Sequence, residues 1–243
     1  TLDITNKKFS ELPDGLRDLL NTVTFSIVYF DNLTKEEEKI LFRKLNNGKP
    51  LSTKSRTLAS AKDIETLLDI GSHQLFQEML SDKARSNKNQ AVIVAKALTM
   101  LTREIEEISF ASKDFNPAIE EMKISDGEKL DLARVFDYVV GVHEELKDNK
   151  EKDMAKKLYT ETHLISLIPY IKNAMDNSIS EAMFGEFITN FFKTENDSDV
   201  YKKYMDACSN GIARSASILA RHNALGESYK EFFKTEENSE KVS

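Results

Sequence analysis

The sequence predicts a mainly α chain in which a small α/β segment precedes a multi-helix bundle. Three observations lead there. From Gln90 onward every strong apolar pattern repeats at helical spacing. A single stretch, Val23 to Phe30, alternates apolar with polar residues and is rich in β-branched and aromatic types. With 243 residues, 40% of them hydrophobic, the chain is long enough to enclose one large core or two ordinary ones.

Taken in order, Pro13 suits a first helical turn, so "PDGLRDLL" reads as a short helix with Leu16, Leu19 and Leu20 facing inward. In "TVTFSIVYF", Val23, Phe25 and Ile27 alternate with Thr24 and Ser26, which predicts a strand. An unpaired strand edge is adhesive, so it should be covered by helices or paired with another chain. Thr34 and Glu37 then form a capping box that opens a helix through Ile40, Leu41 and Leu45. Asn46, Asn47 and Gly48 tolerate the left-handed conformation that ends helices, and Pro50 makes the stop sharp. Ser52 caps a following helix to about Ile70, and "HQLFQEML" supplies another. The polar "SDKARSNKN" marks a domain boundary, giving segments 1–80 and 81–243.

The second segment opens with "QAVIVAKALTMLTREIEEI" as one helix. Another follows behind the capping box of Ser125 and Glu128. "KDNKEKDMAKK" reads as a solvated helix or linker. Four further helices run from Glu161 to about Lys234, and Pro169 should kink or interrupt the first of them. The tail "TEENSEKVS" is polar.

Composition narrows the chemistry. No apolar run approaches the ~20 residues that cross a bilayer, and no signal peptide is recognisable, so a soluble, cytoplasmic protein without a membrane partner is expected. Cys208 is the only cysteine, which excludes an internal disulfide and a thiolate cluster. The formal charge of -7 argues against a surface that grips phosphates throughout. His73, His143, His163 and His222 have no histidine partner at helical i+4 spacing, and "HEELK" at His143 lacks the second histidine of a zinc-protease motif, so no metal site is expected. No acid–base pair can be assigned from spacing, and no glycine-rich phosphate loop is present. No catalytic residue is therefore assigned. Lys83, Arg85 and Lys88 gather in the polar connection, while Arg214 and Arg221 lie two turns apart, either as a solvated face or as phosphate contacts. Phe187, Phe191, Phe192, Phe232 and Phe233 fit helix packing better than base stacking.

The stretch "LRDLLNTVTFSIVYFDNLTKEEEKILFRKLNNGKPLSTKSRTLA" resembles the downstream half of the ParB/sulfiredoxin-like domain of GmrSD-type, modification-dependent restriction proteins. Phe42, Asn46, Gly48, Pro50, Leu51 and Ser52 carry the resemblance, which covers roughly the first 80 residues. It implies a corner near an active cleft, with Phe42, Arg43, Asn46, Gly48, Lys49, Pro50 and Ser52 as cleft or ligand residues. Asn46 could bond the loop or a ligand, since its amide both donates and accepts, or it could simply end the helix with Gly48. Arg43 and Lys49 are the phosphate candidates there.

The family's Asp-Gly-Gln-Gln-Arg motif, associated with nucleotide use and DNA cleavage, does not occur in this chain, and neither does its C-terminal His-Asn-His domain. "DGLR" at Asp14 to Arg17 falls within the leucine-patterned helix and is not equivalent. Because the chain opens on Thr1 within sequence that reads as folded, a piece of a longer protein is expected. The resemblance thus implies a DNA- or nucleotide-directed protein of defence, a mobile element or a phage, inactive in this form. No cofactor is expected in this chain, though a nucleotide could serve the full-length protein, which could also contact DNA. The alternative is a non-enzymatic helical module that binds a protein partner or a second copy of itself.

Overall fold

A computed structural model of the chain describes residues 7–24, 27, 29–45, 52–193 and 196–240, with backbone alone at 39, 42–45 and 235–240. It is mainly helical, with fourteen α-helices among the described residues, and it divides into two compact units, Thr1–Lys49 and Pro50–Ser243. No described helix is long and apolar enough to cross a membrane.

In the first unit, a 3-10 turn at Phe9–Glu11 leads into α1, Asp14–Asn21, and α2 is Lys35–Leu45. The α/β expectation is corrected here: no described residue between 22 and 34 belongs to a strand. Phe25, Ser26 and Val28 lie outside the described residues, but Val23, Thr24, Ile27, Tyr29 and Phe30 are non-helical, unpaired and exposed. Alternation supplies a face. A ladder also needs a second strand, and the described residues offer none.

The second unit starts with α3, Thr53–Ser60, and α4, Ile64–Ile70, where the sequence pattern suggested one helix. The break falls at Ala61, whose extended backbone (ψ 126°) lets Asp63 start the next helix. Next come α5, Gln74–Met79, and α6, Asp82–Ser86; the latter forms within the polar connection that was expected to separate the domains. Arg85 stabilises that connection by donating to the carbonyls of Gln77 (2.6 Å) and Leu80 (3.1 Å). The two compact units divide at Lys49/Pro50, so the described residues 52–80 belong to the same unit as the later helices.

Helix α7, Asn89–Thr102, explains the run "AVIVAKALTML". It is buried on nearly every side, including Val92, Ile93, Val94, Ala97 and Leu98, as expected of a helix in the middle of a core. A 3-10 turn at Ile105–Glu107 follows, then α8, Ser112–Glu121, and α9, Asp126–Asp148. Ser125 and Glu128 form the expected capping box, and their hydrogen bonds hold the Glu128 carboxyl below its usual range. α10, Lys152–Leu158, is no free linker, since it buries Met154, Ala155 and Leu158.

The remaining helices are α11, Glu161–Asp176; α12, Glu181–Phe192; α13, Asp199–Ser209; and α14, Ser215–Glu240. Pro169 does not interrupt α11, which continues for seven residues past it. α9 packs on α12, α10, α11 and α5, while α7 packs on α11 and α4, and α13 on α14. The α9–α12 crossing is close because Gly141 has no side chain: a Cβ there would come within 2.9 Å of Glu181 Cγ. Gly211, at φ +58°, turns the chain between α13 and α14.

Candidate functional site

The corner implied by the sequence is the connection from α2 to α3. At the opposite end of α2, the Thr34 N–H donates to Glu37 Oε2 (2.9 Å) and the Glu37 N–H donates to Thr34 Oγ1 (3.3 Å), completing the expected box. The Thr34 hydrogen bonds lower the Glu37 pKa. On the exit side, Ser52 Oγ accepts from the Ser55 N–H (3.1 Å) and lies 2.8 Å from Ser55 Oγ, so this hydroxyl is engaged as a cap. Asn46, Gly48, Lys49, Pro50 and Leu51 lie outside the described residues, as do the side chains of Phe42 and Arg43. Asp14 and Arg17 pair with each other within α1.

The exposed surface of the first unit is apolar in an unusual way. Eight of the eleven large hydrophobic side chains found exposed among the described residues belong to it: Phe9, Leu19, Leu20, Val23, Ile27, Tyr29, Phe30 and Ile40. Ile27 is 86% exposed and Tyr29 83%. Leu19 and Leu20, expected to face inward, are also exposed, and no described residue before Thr57 is fully buried. A unit that leaves its leucines, isoleucines and aromatics in water forgoes about 1.5–3 kcal/mol for each such side chain it could enclose.

The two arginines are not a shared surface pair. Arg214 is exposed in the turn before α14, whereas Arg221 is only 3% exposed. Its Nε donates to Ser166 Oγ (2.9 Å), and its terminal nitrogens donate to the carbonyls of Ala207 (2.7 Å) and Ile212 (2.9 Å). The expectation that Arg221 meets a phosphate is corrected: α14 packs on both α13 and α11, and the guanidinium is spent on tying the α13–α14 corner to α11. Sequence spacing placed two arginines on one stripe but carried no sign that the second faces a neighbouring helix.

Beside it, His163 Nδ1 lies 2.7 Å from the Tyr204 hydroxyl. Burial, reinforced by the charges of Lys157 and Arg221, pushes the imidazole pKa down to about 4. Burial also pushes the half-buried Cys208 thiol up, so it is not poised as a thiolate. In a second cluster, Glu161 at the start of α11 accepts from Lys54 (2.6 Å) and Lys96 (2.7 Å). Burial raises the carboxyl pKa there, and the two ammonium groups outweigh it, leaving a lowered value. In a third, His143 stacks on Tyr159 with ring centroids 3.7 Å apart, and Glu78 Oε2 lies 3.7 Å from His143 Nδ1. These partners come from helices distant in sequence, so no motif announced them.

Among the described residues, no group of three or more His, Cys, Asp or Glu is arranged to hold a metal ion. The expected packing role of Phe187, Phe191 and Phe192 is what the structure has: all three are buried. No known family, curated protein or solved structure matches the chain.

Proposed function

We propose that this chain is the helical, non-catalytic part of a GmrSD-like protein directed at DNA or nucleotides, serving defence or carried by a mobile element or phage. In this reading the first unit is one half of a ParB/sulfiredoxin-like domain and is completed by a further segment that carries the nucleotide-directed chemistry. The observation that carries it is the exposure of Val23, Ile27, Tyr29 and Phe30 together with Leu19 and Leu20. Half a domain presents to water the residues its other half would cover, and exposed apolar residues with the composition of a strand are what a partner strand would complete. The corner residues Asn46, Gly48 and Lys49 would then line the resulting cleft.

The test is to express the whole reading frame that contains this chain alongside the chain itself, and to assay both for nucleoside triphosphate hydrolysis and for cleavage of modified and unmodified DNA. Turnover by the first and none by the second is the expected result. Inactivity of both, or turnover by the chain alone that Asn46→Ala abolishes, overturns the reading.

The same exposed row supports a second reading, a non-enzymatic module whose first unit docks on a second copy. A dimer of the chain in sedimentation, with slow amide exchange at Ile27 and Tyr29, would favour it.

A further inference from the structure

Helix α3 is the first described element of the second unit, and its sequence, "TKSRTLAS", is poor in apolar residues. Among the described helices of that unit it alone buries polar side chains, Thr57 and Ser60, and no apolar one. Leu58, its single large apolar side chain, is only partly buried against the core. The next helix, α4, encloses Leu67 and Ile70. Buried apolar area is what makes the docking of a helix costly to undo, so α3 is attached by other means.

Those means are polar. Lys54 donates to Glu161 Oε2 (2.6 Å), which ties α3 to α11, and Thr57 donates to Asn116 Oδ1 (2.9 Å), which ties it to α8. Each group has a replacement at hand. Glu161 Oε1 accepts from Lys96 (2.7 Å), so the carboxylate keeps a cation when Lys54 leaves. The Thr57 hydroxyl also reaches the Thr53 carbonyl (3.1 Å), and Ser60 donates to the Arg56 carbonyl (3.3 Å), both acceptors within the segment itself. The Lys54 side chain is already 35% exposed and Asn116 is half-buried, so water serves both. Undocking α3 therefore strands no buried charge, and the bonds it forfeits have a small net worth against water.

We propose that α3 is a releasable strap, latched by the Lys54–Glu161 pair, which lifts from α7 and α8 and melts while the rest of the second unit stays folded. Its eight residues are too few to remain helical alone. Melting lets this stretch of the chain that leads from the first unit lengthen from about 12 Å as helix to as much as about 26 Å when extended. The inference concerns the packing of the second unit and does not rest on the proposed function of the first.

Amide hydrogen exchange of the whole chain at about pH 7, in water and in low urea, tests it. The amides of Thr57 to Ser60 should exchange at least about tenfold faster, relative to their unfolded rates, than those of α7 and α11. Their rates should hardly respond to urea, since a local opening exposes little surface. Lys54→Met, which keeps the aliphatic stem and removes the charge, should speed exchange in α3 by about fivefold or more and change α7 and α11 by less than about twofold. Lys129→Met, which removes the exposed ion pair of Lys129 with Asp69 between α9 and α4, should leave α3 within about twofold. Exchange of α3 at the rate and urea dependence of α7, no effect of Lys54→Met on α3, an equal effect of Lys54→Met on all three helices, or an equal effect of Lys129→Met on α3 would each overturn the proposal.

Discussion

Arg221 and Arg214 are chemically identical and seven residues apart, yet their environments assign them opposite roles. Arg221→Ala leaves the buried Ser166 hydroxyl and Ala207 carbonyl, and the part-buried Ile212 carbonyl, without their charged donor. Unfolding by urea should show a loss of about 3 kcal/mol or more for that variant. Arg214→Ala, on the surface, should stay within about 0.5 kcal/mol. Equal effects would mean that Arg221 is not the tie between α11 and the α13–α14 corner. His163, in the same layer, makes stability depend on pH. Its folded pKa of about 4 lies below the ordinary 6.5, so between those values the unfolded chain binds the proton that the folded one refuses. Its contribution is complete above about pH 6.5 and is lost as pH falls toward 4. A tenfold difference in proton affinity between the two states is worth about 1.4 kcal/mol, so acidification from about pH 7 to pH 4.5 should cost about 2–3 kcal/mol through this group. In His163→Gln, that share of the acid sensitivity should disappear from the urea midpoints; an unchanged pH profile would contradict the placement.

Elements with strong local signals were legible. Both capping boxes form where Thr34–Glu37 and Ser125–Glu128 placed them, because the donors and acceptors involved lie three residues apart and need no tertiary help. The long helices α9, α11 and α12 follow their apolar period. What escaped was set by contacts distant in sequence. "KDNKEKDMAKK" looked solvated because lysines outnumber its apolar residues, yet Met154, Ala155 and Leu158 share one face and α10 packs on α9 and α12. Conversely "TFSIVYF" had the residue types of a strand, but pairing depends on a partner that its own letters do not specify. At Pro169 the lost hydrogen bond is local, while Ile165, Leu167, Ile168, Tyr170 and Ile171 are all buried, and that packing carries α11 past the proline. The candidate site divided along the same line: Ser52 was legible as a cap, whereas the burial of Arg221 arises from how α11, α13 and α14 meet.

At the scale of the whole molecule, the two units differ in how they use apolar residues. The second unit encloses a continuous core from Leu67 to Tyr229, and the first has no described residue that is fully buried. Stability of the second unit therefore rests on its own packing, while the apolar surface of the first is available for association. These properties are separable by substitution. Ile27→Lys combined with Tyr29→Lys changes two side chains that are 86% and 83% exposed, so the unfolding free energy should shift by no more than about 0.5 kcal/mol in urea titrations. The same change places charge in the middle of the apolar row and should abolish whatever covers it, read as a loss of self-association in sedimentation or of co-purification with the completing segment. A large loss of stability with association unchanged would mean that Ile27 and Tyr29 belong to the folded core of the chain, and the first unit would then lose its assignment as a docking element.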